Sequence, residues 1–104
     1  MAQFDVYTNP NTETKRSIPY LLDVQTDLLN DLTTRVVVPL YSASSMSKAA
    51  KNLNPQFSIK RTTVIMSTAE LAGVTVNSLG DKFYSLKEHR NEIIAALDFL
   101  ITGF

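Results

Sequence analysis

The chain of 104 residues contains no cysteine and no tryptophan, and it has only one histidine and three glycines. Without cysteine, the chain cannot form a disulfide framework, a thiolate zinc site or a thiol nucleophile. A single histidine excludes a multi-histidine metal site within one chain, and so few glycines provide no glycine-rich phosphate loop. We therefore expect neither a metal nor a cofactor.

The chain also has no excess of positive or negative charge and no long apolar run. Ten basic and ten acidic residues give a net charge of zero, which argues against a dedicated nucleic-acid or anionic-membrane binder. No apolar run approaches the roughly 20 residues of a membrane span, and the N-terminal segment 1–5 lacks the basic and apolar regions of a signal peptide. We therefore expect a single cytoplasmic domain over residues 1–104.

Most of the chain is typical of short β-strands separated by polar turns. Alternating or β-branched apolar residues predict strands at residues 3–8, 18–25, 35–41, 56–59, 62–66 and 74–79. Lys60-Arg61 would form the turn of a hairpin between two of these strands. The serine-rich start of residues 42–54 favours a short helix in that segment.

The end of the chain has the clearest pattern. Ser85 and Glu88 have the spacing of a capping box, and Gly103 lies where a helix C-terminal glycine belongs. Between them, apolar residues recur at helical spacing, namely Leu86, Ile93, Leu97, Leu100 and Phe104. The sequence predicts a mainly β fold, a small antiparallel barrel or sheet, with one C-terminal α-helix packed on it.

Some apolar residues of this helix lie outside its core stripe. At 100° per residue, Ile94 and Ile101 project well away from Ile93, and Phe99 projects towards the glutamates of the same helix. A helix that is apolar over so much of its surface is either deeply buried or an interface, with a second copy or with a foreign partner.

Candidate catalytic and metal-binding groups are few. His89 lies on or beside the apolar stripe and has no recognisable nucleophile partner, so we expect a half-buried histidine with a hydrogen-bond partner. Asp23, Asp27 and Asp31 recur at intervals of four residues. We expect solvated loop and edge charges there rather than a divalent-metal site.

The charge is unevenly distributed along the chain. The segment 35–61 contains no acid, and its five basic residues are Arg35, Lys48, Lys51, Lys60 and Arg61. A solvated face, a surface for an acidic protein and an RNA-contacting surface are all compatible with this segment. On an RNA-contacting surface, Arg35 and Arg61 would hold phosphates.

Several stretches together resemble the CcdB family of bacterial toxins. They are Gln3-Phe4-x-Val6-Tyr7-Thr8, Asp23-Val24-Gln25-Thr26-Asp27 followed by two large aliphatics, Arg35-x-Val37-Val38-Pro39-Leu40, His89-Arg90, and Gly103 followed by one apolar residue. The resemblance runs essentially end to end. It implies an SH3-like β-barrel with a C-terminal helix, a homodimer and no enzymatic activity.

The resemblance also implies a type II toxin–antitoxin system. Family members bind the dimerisation domain of the DNA gyrase A subunit and trap gyrase on cleaved DNA, and an acidic CcdA-like antitoxin neutralises them. DNA is contacted only indirectly, through gyrase or at an operator with the antitoxin. The implied gyrase contacts are Leu28, Leu29, Asp98, Ile101, Thr102, Gly103 and Phe104. The expected antitoxin contacts are Lys15, Arg16, Lys48 and Lys51.

The chain departs from the family pattern near its C-terminus. The best-known relatives have a tryptophan before the terminal glycine, where this chain has Thr102. We therefore expect the binding energy to centre on Ile101 and Phe104. Related barrels also host endoribonuclease toxins, so that activity and a plain structural or adaptor dimer are the alternative functions.

Overall fold

The computed structural model describes residues 1–46, 49–50 and 52–103. Within these ranges the strands are β1 (Asp5–Thr8), β2 (Tyr20–Asp23), β3 (Thr34–Ser42), β4 (Gln56–Ile59), β5 (Thr62–Met66), β6 (Ala72–Thr75) and β7 (Lys82–Ser85). They form one curled antiparallel sheet with the order β4-β5-β3-β2-β1-β7, and β6 also pairs with β3. The helix α1 (Arg90–Thr102) follows β7.

Strand β3 organises the sheet because it is long enough to serve three neighbours. Its β-branched run pairs with β2 along one edge. Along its other edge, the first half pairs with β6 and the last residues pair with β5. The mainly β fold with one C-terminal helix, as expected from the sequence, is confirmed.

The apolar core lies between the inner face of the sheet and α1. Antiparallel register places Val6 opposite Leu22, and Leu22 opposite Val38, so that three fully buried side chains form a row across β1, β2 and β3. The helix adds Ile93 and Ala96 to the same cluster. Because successive side chains of a strand point to opposite faces, this row leaves the neighbouring residues on the other face of the sheet.

The hairpin predicted at 56–66 is confirmed. Its strands pair from Gln56 opposite Ile65 to Ile59 opposite Thr62, and Lys60 and Arg61 form the turn with φ angles of 47° and 73°. Two successive positive φ angles are typical of a type I′ turn, whose twist matches that of the flanking strands.

Other local expectations were wrong. In the segment 42–54, the described residues contain a 3-10 turn at Ala43–Ser45 and no α-helix, and residues 47–48 and 51 of the expected helix lie outside the described residues. The expected strand at 74–79 begins and ends earlier, as β6, and a 3-10 turn at Val76–Ser78 follows it. Strand β7 was missed. Its side chains alternate only weakly in polarity, and pairing with β1 is what makes it a strand.

The predicted capping box is also wrong. Ser85 ends β7 opposite Asp5, the backbone amide of Leu86 donates to the Phe4 carbonyl, and α1 begins only at Arg90 after a 3-10 turn. Strand pairing therefore takes the residues that local sequence assigned to a helix cap. The C-terminal expectation is confirmed, because Gly103 has φ 79° and its amide donates to the Phe99 carbonyl.

In the part of the chain that the structure describes, no helix has both the length and the apolar character that a membrane crossing requires.

Candidate functional site

Asp23 and Arg35 form an ion pair inside the protein. The Arg35 Nη2 atom lies 2.6 Å from Asp23 Oδ2, and the two side chains are 1% and 0% exposed. Arg35 Nε donates a second hydrogen bond, of 2.9 Å, to the same oxygen. The expectation that Asp23 is a solvated edge charge is therefore wrong, and Arg35 is not free to hold a phosphate.

This ion pair belongs to a buried polar layer on the face of the sheet opposite the core. Tyr7 and Asp5 lie on that face of β1 because Val6 between them points into the core. The Tyr7 hydroxyl donates a long hydrogen bond of 3.5 Å to Asp5 Oδ2, and Lys82 Nζ lies 3.4 Å from Asp5 Oδ1.

Burial is the main cause of the pKa shifts of two groups in this layer. It raises the pKa of Asp23 above its usual range, although the hydrogen bonds from Arg35 and from the Gln25 amide oppose the shift. Burial, together with the negative charges of Asp5 and Asp23, raises the pKa of Tyr7 from 10.0 to about 12.

The two adjacent leucines after β2 lie on a solvent-exposed 3-10 turn, Asp27–Leu29. Thr26 caps this turn through its hydroxyl, which accepts from the Leu28 amide, and Asp27 Oδ1 accepts from the Gln3 amide at 2.7 Å. Leu28 is 91% exposed and Leu29 is 48% exposed. The turn thus exposes both aliphatic side chains to solvent.

Leu32 is an exposed apolar residue that the sequence analysis missed. Its side chain is 49% exposed, and its amide donates to the Leu29 carbonyl at 3.2 Å, which continues the turn by three residues. The only signal in the sequence was its place beside Asp31 in a polar loop. Asp27 and Asp31 are both exposed, as expected.

The C-terminal turn of α1 exposes a second group of candidate residues. Ile101 is 75% exposed and Phe99 is 37% exposed, while Asp98, Thr102 and Gly103 are also exposed. The Thr102 hydroxyl donates to the Asp98 carbonyl at 2.7 Å, so it satisfies its own helix. Phe104 lies outside the described residues.

Ile94 and Ile101, the two isoleucines outside the predicted core stripe, differ in burial. Ile94 is half-buried and packs against the core cluster, whereas Ile101 is 75% exposed. The exposed apolar surface of the helix is thereby confined to its last turns.

Beside these last turns lies an open cavity of about 500 Å³. Its lining residues come from α1 and from the segment before β4, namely Asn52, Pro55, Glu92, Ala95, Ala96, Phe99 and Gly103. The helix packs most closely on the 3-10 turns Thr68–Glu70 and Lys87–His89. The turn that carries Leu28 is not among these closest neighbours of the helix.

The predicted antitoxin contacts are only partly described. Lys15 and Arg16 are exposed in the polar loop between β1 and β2, which is held by the Asn9 side-chain amide bonded to Thr14 and to the Ile18 carbonyl. Lys48 and Lys51 lie outside the described residues.

The basic segment 35–61 presents less charge than its composition indicates. Arg35 is buried in its ion pair, and Lys60 Nζ lies 4.3 Å from the centre of the Phe83 ring in a cation–π contact. Arg61 is exposed at the hairpin turn.

His89 is the half-buried histidine that the sequence predicted. Its Nδ1 atom lies 3.1 Å from Glu92 Oε1 and its side chain is 40% exposed, while its ring packs at 5.1 Å from that of Phe57. Within residues 1–46, 49–50 and 52–103, no group of three histidine or acidic side chains is placed to hold a metal ion.

One family model, described as CcdB protein, matches residues 3–103 of this chain. The match covers nearly the whole length, from the residue whose amide bonds to Asp27 to the glycine that caps α1. It therefore includes the exposed turn after β2 and the exposed end of the helix within one family domain. On this match, the chain belongs to the CcdB protein family.

Proposed function

We propose that this protein is the toxin of a type II toxin–antitoxin system, which binds the dimerisation domain of the DNA gyrase A subunit and traps gyrase on cleaved DNA. Family membership supports a gyrase-poisoning toxin of such a system. The observation on this chain that best supports the proposal is the exposure of two aliphatic side chains, Leu28 at 91% and Ile101 at 75%.

Exposed aliphatic side chains are suited to this role because a partner removes them from water. Burying a leucine or isoleucine fully contributes roughly 1.5–3 kcal/mol. Thr102 contributes less than the family's tryptophan would, since its hydroxyl is already bonded to the Asp98 carbonyl. The binding energy is therefore expected to centre on Ile101 and Phe104, with Leu28 and Leu29 as further contacts.

The proposed activity is binding rather than catalysis. A ligand shifts an equilibrium by its differential affinity for the two states, so the toxin would stabilise gyrase in the state with cleaved DNA. DNA is then contacted only through gyrase, or at an operator together with the antitoxin. No cofactor is required for such a mechanism.

The proposed assembly is a homodimer of SH3-like barrels. The curled sheet supports the barrel, because β3 joins β2 on one edge to β5 and β6 on the other. A CcdA-like antitoxin would bind the same protein at Lys15 and Arg16, with Lys48 and Lys51 as further expected contacts. Positive charge on this surface would speed encounter with an acidic chain.

An endoribonuclease toxin is the alternative on a related fold, and the buried ion pair weighs against it. Arg35, one of its two proposed phosphate-binding residues, is 1% exposed and neutralised by Asp23. Of the two proposed phosphate-binding arginines, Arg61 is the one that is exposed.

The test is gyrase-dependent cleavage of a supercoiled plasmid by the purified full-length protein. Linear DNA should accumulate with the wild type, and Ile101→Asp should abolish this effect while circular dichroism shows an intact fold. Thr63→Asp places the same charge on an exposed residue of β5 and should remain active. Wild-type protein that leaves gyrase unaffected would refute the proposal, and cleavage of messenger RNA would favour the nuclease.

A further inference from the structure

A buried glutamine holds the exposed turn that carries Leu28 against the sheet through hydrogen bonds. Gln25 is 7% exposed, and its Nε2 atom donates to the Leu29 carbonyl at 3.0 Å. Its Oε1 atom accepts from the Val36 amide of β3, also at 3.0 Å. One side chain therefore connects the turn to the sheet at the residue after Leu28.

The guanidinium of Arg35 forms hydrogen bonds to residues on both sides of the same turn. Besides its contacts with Asp23, Arg35 donates through Nη2 to the Gln25 carbonyl at 3.3 Å. It donates through Nη1 to Asn30 Oδ1 at 2.6 Å. These acceptors precede and follow the 3-10 turn Asp27–Leu29, so a single rigid, planar group spans it.

Leu28 has no packing of its own to define its position, because 91% of its side chain faces solvent. The backbone that carries it must be ordered by other residues. Ordering a flexible loop on binding costs affinity, and a loop that is already ordered avoids that cost.

We propose that Arg35 and Gln25 are positioning residues of the gyrase-binding surface, and that Asn30 is the outer end of this link. They hold residues 26–30 in the conformation that presents Leu28 and Leu29 to the partner. This inference rests on the proposed function for its partner, but not for the ordering of the turn itself.

Asn30 gives the sharpest test because it is exposed and its replacement leaves the Asp23–Arg35 pair in place. Asn30→Ala removes the acceptor of the Arg35 hydrogen bond. Asn30→Asp keeps an acceptor oxygen there and is the conservative rescue. Asn77→Ala alters an exposed asparagine on a different 3-10 turn, Val76–Ser78, and is the matched control.

Amide hydrogen exchange of the free protein provides the first measurement. The Leu29, Asn30 and Leu32 amides are hydrogen-bonded within the turn, and we expect their exchange to become about tenfold faster in Asn30→Ala. Exchange in β2 and β3 should stay unchanged, which a general loss of stability would not allow. Asn30→Asp and Asn77→Ala should exchange like the wild type.

Affinity for the purified gyrase A dimerisation domain provides the second measurement. We expect the dissociation constant to rise about tenfold for Asn30→Ala, and to stay within about twofold for Asn30→Asp and Asn77→Ala. If the wild type fails to bind gyrase A, the proposed function fails, while hydrogen exchange still tests the ordering of the turn. Unchanged exchange in Asn30→Ala, or accelerated exchange with unchanged affinity, would overturn the positioning role.

Discussion

The Asp23 carboxylate and the Arg35 guanidinium lie 2.6 Å apart with both side chains withdrawn from solvent. Asp23 ends β2, and Arg35 lies near the start of β3. The chain leaves the sheet between them to form the turn with Leu28, so the ion pair closes the base of that loop. A charged pair in this position links the stability of the sheet to the geometry of an exposed surface.

Removing one partner of this pair should be costly. We expect Arg35→Met to lower the free energy of unfolding by about 3–5 kcal/mol, because the Asp23 charge would remain buried without compensation. The double variant Asp23→Leu/Arg35→Met should regain most of that loss. Urea unfolding of the two variants measures both effects, with exposed Arg16→Met as the control. A double variant as unstable as the single one would contradict this account.

Substitutions at two leucines should distinguish an effect on stability from an effect on gyrase A binding. Leu22→Ala empties part of the core row between β1 and β3 and should cost about 2–5 kcal/mol of unfolding free energy. Leu28→Ala, at a side chain that is 91% exposed, should change stability by less than about 0.5 kcal/mol and weaken gyrase A binding. Thermal unfolding and titration calorimetry make the comparison. Strong destabilisation by Leu28→Ala would mean that this residue belongs to the core.

Tyr7 should make the protein sensitive to alkali. Its pKa is raised from 10.0 to about 12, so the folded state keeps the phenolic proton to a higher pH than the unfolded state does. The resulting stability is complete below pH 10 and is lost as the pH rises through about 12, in total about 2–3 kcal/mol.

The measurement is the urea midpoint across this pH range. Tyr7→Phe should flatten the alkaline decline, whereas Tyr84→Phe, which removes a more exposed hydroxyl, should leave it as in the wild type. A decline of equal size in Tyr7→Phe would assign it to other groups.

Gly80 should be required where β7 approaches β1. A Cβ atom there would lie 2.6 Å from the Thr8 carbonyl oxygen and still closer to the Thr8 hydroxyl. We therefore expect Gly80→Ala to cost about 1–3 kcal/mol. Gly73→Ala is the matched control, because nothing lies within 4 Å of its added methyl group. Equal melting temperatures for both variants would contradict the close approach.

Most residues of the candidate site could be named from the sequence, but the contacts that position them could not. The sequence predicted the Lys60-Arg61 hairpin and the Gly103 cap because both depend on neighbouring residues alone. It misassigned Ser85, whose backbone is taken by pairing with Asp5 across the sheet. Leu28 was named through the family resemblance, while Leu32 was missed because a lone leucine in a loop has no periodic partner.

The sequence by itself determined the fold class, the apolar positions of the core and the family, since these depend on composition, local periodicity and the order of short motifs. Tertiary structure alone decided which charges are buried. Asp23 and Arg35 are twelve residues apart, and only the pairing of β2 with β3 brings them together. This pairing makes Asp23, expected to be a solvated acid, and Arg35, a phosphate-binding residue only in the RNA-contacting alternative, into the ion pair beneath the Leu28 turn.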